Sequence, residues 1–248
     1  MRQSSSAAVR SPASAILAVL VAAFAFVAPA TATSAAVSAG TNILIEHYRA
    51  PDHTRAVALV EERLTSPTLT GSAERMRLIG FLAGLIVNDP SVIRTVAPRF
   101  RTLPYDQPMR LARAIRYSGR PDTLKLFAEL KALWPEQDKA IAAIAALGAQ
   151  PVGTIRDERS TVVIDLALGY FGATGDTSPI ERIIRALPTH RTRPTAQHLL
   201  VAQSARWTLA DLIARHPRVR EICLMHLEGP QGEALREILT QAARPSAS

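Results

Sequence analysis

Four stretches of the chain repeat one pattern, and this pattern limits the fold more than any other feature of the sequence. Each stretch reads as an apolar helix, a tight turn, a second amphipathic helix and then a proline. The stretches span residues 81–104, 111–135, 166–188 and 208–230. Their apolar residues recur at intervals of three and four, as on one face of an α-helix. The pattern therefore predicts helix-turn-helix hairpins that bury their apolar faces against each other.

The turns carry residues that are typical of helix ends. Gly119 and Gly175 follow apolar helices, and glycine favours the left-handed conformation that ends many helices. We expect the side chains after the turns to cap the next helix: Asp89, Asp122, and Thr177 or Ser178. The periodicity and these breaks predict helices over residues 53–65, 72–87, 91–102, 106–118, 121–133, 136–147, 158–174, 178–187, 195–215, 217–227 and 231–243.

Repeated helical hairpins that stack on their neighbours form α-solenoids. The turns are irregularly spaced, and the sequence lacks the signatures of tetratricopeptide and ankyrin repeats. We therefore expect an all-α protein, an irregular α-solenoid of helix-turn-helix hairpins, with a compact helical bundle as the alternative.

The first residues of the chain resemble an export signal. Arg2 and Arg10 precede the uncharged run 13–28, and small residues then alternate through Ala28, Ala30 and Ala32. A positive start, an apolar run and an A-x-A site are typical of a cleaved secretory signal peptide. The interpretation is a signal over 1–32 (cleaved after Ala32 or Ala36), a linker over 33–50, one helical domain over 51–243 and a disordered tail over 244–248. It predicts a periplasmic or secreted protein with no transmembrane segment once the signal is removed.

The helix predicted over 158–174 is apolar on nearly every side, which is typical of a central, buried helix. Asp165 lies inside this helix, and Asp165, Gly169 and Gly172 share one helical face. The two glycines allow another backbone or a ligand to come close. A buried carboxylate needs a partner or a raised pKa. We expect Asp165 to pair with an arginine or to accept a hydrogen bond at a helix end, and the alternative is a functional carboxylate.

The helix predicted over 195–215 has an apolar stripe that includes Val201, Leu209 and Leu212. Trp207 lies nearly opposite this stripe, on the side that also carries Leu200 and Asp211, and Arg206 lies beside it. We expect Trp207 to pack on a neighbouring hairpin over small alanines. Otherwise it is an exposed aromatic anchor for a binding partner.

Two segments of the C-terminal third, "FGATGDTSPIERIIRALP" (171–188) and "ARWTLADLIARHPRV" (205–219), resemble a group of uncharacterised, signal-bearing helical proteins of proteobacteria. A "TGD" turn and an aromatic-led helix that ends in "HP" recur in that group. The resemblance implies a helical fold and export, and it implies no activity.

No pattern for a metal, a cofactor, a nucleic acid or a catalytic nucleophile stands out among the six histidines, the serines and the one cysteine, Cys223. Cys223 lies in an apolar context, and we expect it to be a core residue. The net charge is +8, and 26 of the 29 basic residues are arginine.

The main hypothesis is an exported, non-enzymatic helical-repeat protein that binds a protein or peptide as an interaction or scaffold module of the cell envelope. The candidate binding residues are Arg206, Trp207, Asp211 and Asp165. One alternative is an envelope hydrolase with a helical cavity around Asp165. Another is a basic protein that binds anionic lipid or polysaccharide.

Overall fold

The computed structural model describes residues 44–65, 71–100, 106–155, 160–189 and 195–243, and this part of the chain contains helices and no β-strand. The predicted signal peptide and C-terminal tail lie outside the described residues. The all-α class is confirmed. Eleven α-helices lie within the described ranges: α1 (His53–Thr65), α2 (Ser72–Asn88), α3 (Val92–Phe100), α4 (Asp106–Ser118), α5 (Thr123–Leu133), α6 (Asp138–Ala145), α7 (Val162–Thr174), α8 (Ser178–Arg185), α9 (Ala196–Arg215), α10 (Pro217–Met225) and α11 (Gly232–Ala242).

Turn chemistry accounts for where several helices end. Gly119 and Gly175 adopt the predicted left-handed conformation, with φ of 65° and 70°. The amide of Gly175 donates to the carbonyl of Phe171 at 2.7 Å, which closes the last turn of α7. In each of the four repeated stretches, the two helices pack on each other.

The predicted side-chain caps hold in part. The carboxylate of Asp89 accepts a hydrogen bond from the amide of Ser91 at 2.9 Å. Asp122 does not cap α5, because its carboxylate instead accepts from the guanidinium of Arg120 at 2.7 Å. Thr177 makes no side-chain cap, since its hydroxyl donates to Glu181 at 3.1 Å. Ion pairing and local hydrogen bonds thus replace two of the expected caps.

The most extensive helix contact of the structure joins α2 and α7, which are separated by four helices in the chain. Successive residues of α2 meet successive residues of α7, from the Arg77–Asp165 pair to Asn88, whose side-chain amide donates to the carbonyl of Ala173 at 3.2 Å. The two helices therefore run parallel. They also touch at their backbones, because a methyl group at Gly80 would overlap Leu166 and one at Gly169 would overlap Arg77.

Helix α7 is the centre of the core, as its composition predicts. Every residue from Leu166 to Ala173 is buried. One face of α7 packs on α2, and the helix also contacts α8 and two short 3-10 turns, His47–Arg49 and Val152–Thr154. The described end of the predicted linker, residues 44–50, thus packs on the core.

The spatial order of the helices differs from their order in the chain. Helix α2 contacts both α4 and α7, and α8 connects this layer to α9 and α10. In a regular solenoid each unit contacts only its neighbours in sequence. The direct α2–α7 contact departs from that rule. Within the described ranges, no helix has the length and apolar character needed to span a membrane.

Candidate functional site

Helix α9 has two faces of different character. Its inner face consists of Val201, Ala205, Leu209, Leu212 and Ile213, all buried as the predicted apolar stripe requires. The helix packs through this side on α8, α10 and α11. A capping box fixes its start, because the Thr195 side chain accepts from the amide of His198 while the His198 side chain accepts from the amide of Thr195. Burial of the inner face leaves the opposite side of α9 directed away from the core.

That opposite face carries large apolar side chains in contact with solvent. We call Leu199, Leu200 and Trp207 the outer face of α9. Trp207 is 67% exposed, Leu200 68% and Leu199 52%. Leu200 and Trp207 are seven residues apart, which places them on the same side of the helix, about 10 Å apart along its axis.

The expectation that Trp207 packs on a neighbouring hairpin is wrong. The indole is 67% exposed, so no helix among the described residues covers it. The reason is geometric, since the buried residues of α9 lie on its inner face and Trp207 lies on the opposite side. The observed exposure matches the alternative, in which the indole is available to a partner.

Two ion pairs border the outer face. Arg206 donates from Nη1 to Oε2 of Glu237 on α11 at 2.8 Å. Asp211 pairs with Arg215, one turn further along α9. Exposed pairs of this kind contribute little to stability, but they surround the apolar side chains with polar groups. An apolar centre with a polar rim is the usual composition of a protein interface.

Asp165 lies on α7, away from the other three candidate residues, which share α9. Its carboxylate accepts from Nη2 of Arg77 at 3.0 Å, and the side chain is 17% exposed. Burial raises the pKa of Asp165, and the charge and hydrogen bond of Arg77 oppose this effect. The pairing with an arginine is thus as predicted, and the environment is that of an ion pair between two packed helices.

A shallow depression lies near the start of α7, lined by Ser160, Val163, Ile164, Arg182, Ile183, Ala186 and Val201. It has no interior volume for a water molecule, and Asp165 is not among its lining residues. Among the residues that the structure describes, no three histidine, cysteine or carboxylate side chains cluster with the spacing of a metal site.

The sequence-based candidates omit Leu199 and Leu200, although both belong to the same exposed surface as Trp207. The helical wheel already places Leu200 beside Trp207, so this signal was present in the sequence. Leu124 and Leu147 are exposed as well, at 76% and 65%, but each is a single side chain on another part of the structure. Single exposed leucines are normal in soluble proteins, whereas grouped ones indicate a contact surface.

The arrangement on α9 can bind another surface, because it combines a rigid aromatic side chain, two leucines and a charged border. Comparison with protein-family models, with curated proteins and with solved structures found no match for this chain.

Proposed function

We propose that this chain is an exported, non-enzymatic helical protein that binds a protein or peptide partner in the cell envelope. The outer face of α9 is the proposed binding surface. The observation that carries the proposal is the exposure of Trp207 and Leu200 on one side of a single, well-capped helix.

Three properties of the surface support this role. Tryptophan is enriched among the residues that dominate binding energy at protein interfaces. Leu199 and Leu200 extend the apolar area toward the start of α9. A partner that covers these exposed side chains would remove apolar surface from water, which favours binding. The ion pairs of Arg206 and Asp211 border this area and provide polar groups for orientation.

Export and scaffold architecture are further parts of the proposal. The apolar run and the A-x-A sites near residues 28–36 support export. The four hairpins support an irregular helical array, in which packed helices hold α9 rigidly and leave one of its faces free. A rigid helix lowers the entropic cost of binding, because its side chains are already in place.

The proposal is tested by affinity capture from envelope extracts with three forms of the protein. Wild type and Leu124→Ala should retain the same stoichiometric partner, and Trp207→Ala should lose it. Leu124 is the matched control, because it is 76% exposed on α5, far from α9 in sequence.

The affinity of the purified partner should fall at least about 30-fold for Trp207→Ala, as expected for an aromatic hot spot. The free energy of unfolding should change by less than about 0.5 kcal/mol, because Trp207 is exposed. Equal capture by wild type and Trp207→Ala, or no stoichiometric partner at all, would contradict the proposal.

A further inference from the structure

We propose that residues 44–50, here called the N-terminal segment, form an acid-sensitive clasp that is closed on the core near neutral pH and opens at mildly acidic pH. The segment packs closely on α7, and two buried histidines, His47 within it and His216 against it, contact this packing. The clasp is independent of the binding role proposed for α9.

Glycines of α7 and of the turn after it form the seat of the clasp. A methyl group at Gly172 would overlap the carbonyl of Leu44, so the backbone of the segment touches the helix at this point. A methyl group at Gly175 would lie 2.6 Å from the ring of Tyr48. The side chains of Leu44 and Ile45 are buried, at 3% and 7% exposure. The closed position is therefore defined by close packing.

His216, at the junction of α9 and α10, closes the clasp from the other side. Its ring is stacked on Tyr48 with 5.8 Å between centroids, and it lies edge-on to Phe171 at 5.5 Å. Tyr48 and Phe171 also contact each other, at 5.1 Å. The His216 side chain is 2% exposed, and its two ring nitrogens lack a hydrogen-bond partner of ordinary geometry among the described residues.

This environment suits a neutral imidazole and disfavours a charged one. Burial lowers the pKa of His216, and the Arg49 charge acts in the same direction, while Glu46 and the backbone of Ile45 act against it. Glu46 and Arg49 also pair with each other at 3.5 Å, which leaves burial as the main effect. On the α10 side, Arg218 and Glu221 face Tyr48 and pair with each other at 3.2 Å.

The second histidine lies inside the segment. The His47 side chain is 8% exposed and meets the ring of Phe81 on α2 edge-on at 5.5 Å. Burial lowers the pKa of His47, the nearby His53 lowers it further, and Asp52 opposes both. His53 itself lies 3.5 Å from the carboxylate of Asp89.

Both histidines therefore act on the clasp in the same direction. A histidine whose pKa is lowered in the closed state contributes stability that is present above its ordinary pKa of 6.5. That contribution is lost as the pH falls below 6.5 toward the lowered value, because the open state binds the proton more readily. Histidine is also the side chain whose ordinary pKa falls between pH 5 and 8. Opening should thus respond to two protons over this range.

Hydrogen exchange on the full chain tests the clasp. Exchange of the segment and of α7 is measured by mass spectrometry at pH 7.5 and pH 5, with intrinsic rates corrected for pH. We expect the protection of residues 44–50 to fall at least about tenfold at pH 5, while α7 stays protected. Because the segment and α7 are compared within the same protein, a measurement on the wild type alone can contradict the proposal. Equal protection of the segment at both pH values, or simultaneous loss of protection in α7, would do so.

Variants identify the groups that respond. The double variant His47→Phe/His216→Phe keeps aromatic rings at both positions and removes both titrating groups, so the segment should stay protected at pH 5. His226→Gln is the matched control, because His226 lies at the end of α10 near Glu181 and away from the segment, and it should behave as wild type. A double variant that retains the full pH response would overturn the assignment to these histidines.

Discussion

Asp165 shows how two opposing effects act on one side chain. Burial between α2 and α7 raises its pKa, while Arg77 at 3.0 Å holds it down. The net direction is upward, so the folded protein binds this proton more tightly than the unfolded chain does. Stability from this group is therefore greatest below its ordinary pKa and declines as the pH rises through the raised folded value.

We expect Asp165→Asn to change the free energy of unfolding at pH 7 by less than about 1 kcal/mol, since a neutral amide avoids the desolvation cost and can still accept from Arg77. Urea unfolding measures this. The stability of wild type relative to the variant should rise as the pH falls toward 3.8. A loss above about 2 kcal/mol at pH 7 would show that the ion pair is strongly stabilising. Loss of a hydrolytic activity in the folded variant would instead support the hydrolase hypothesis.

Cys223 is the only cysteine of the chain, and it is fully buried, as its apolar neighbours predict. Burial raises the pKa of its thiol to about 12. Because the thiolate is the reactive form, we expect no reaction with a disulfide reagent at pH 8 in the native protein and stoichiometric reaction in denaturant. Rapid labelling of the native protein would mean that α10 opens locally.

The positions of the helices along the chain can be predicted from the sequence, whereas the contacts between distant helices cannot. All eleven predicted helices are present, because periodicity and turn residues such as Gly119 and Gly175 act locally. The α2–α7 pairing could not be predicted from periodicity, since it joins residues such as Arg77 and Asp165 that are 88 positions apart. The sequence feature that corresponds to this pairing is a glycine on each helix, Gly80 on α2 and Gly169 on α7. Each glycine can be recognised as a contact point only when the two helices are considered together.

The candidate site also has one part that can be predicted from local sequence and one part that depends on tertiary packing. The wheel of α9 correctly separates the buried stripe from the side that carries Trp207. Which helix, if any, covers that side depends on the packing of α8, α10 and α11, and no local pattern contains this information. The sequence therefore could not show whether Trp207 is buried or exposed, because this depends on the tertiary structure.

The glycine contact between α2 and α7 predicts a large effect of a small substitution. Gly169→Ala should lower the free energy of unfolding by about 2–3 kcal/mol, because its methyl group would overlap the backbone of Arg77 and force the helices apart. Gly71→Ala is the control, since no atom lies within 4 Å of the added group, and it should cost less than about 1 kcal/mol. Thermal or urea unfolding measures both. Equal costs would contradict the close contact.

At the scale of the whole molecule, one continuous set of buried residues runs from Leu44 to Ile238. The N-terminal segment and the C-terminal helices thus belong to the same core. Export of this folded unit remains a prediction from residues 1–36. The protein recovered from the envelope fraction should have an intact mass that begins at Thr33 or Val37. A mass that still includes the first 32 residues would contradict signal cleavage.

Site-specific photocrosslinking tests the central claim, binding through the outer face of α9, most directly. A photoreactive phenylalanine analogue is placed at position 207 or, as the control, at position 124, and cells are irradiated before lysis. We expect one discrete crosslinked partner from position 207 and none from position 124, since both sites are exposed but only Trp207 lies in the proposed surface. No adduct at 207, or the same adducts from both positions, would contradict the claim.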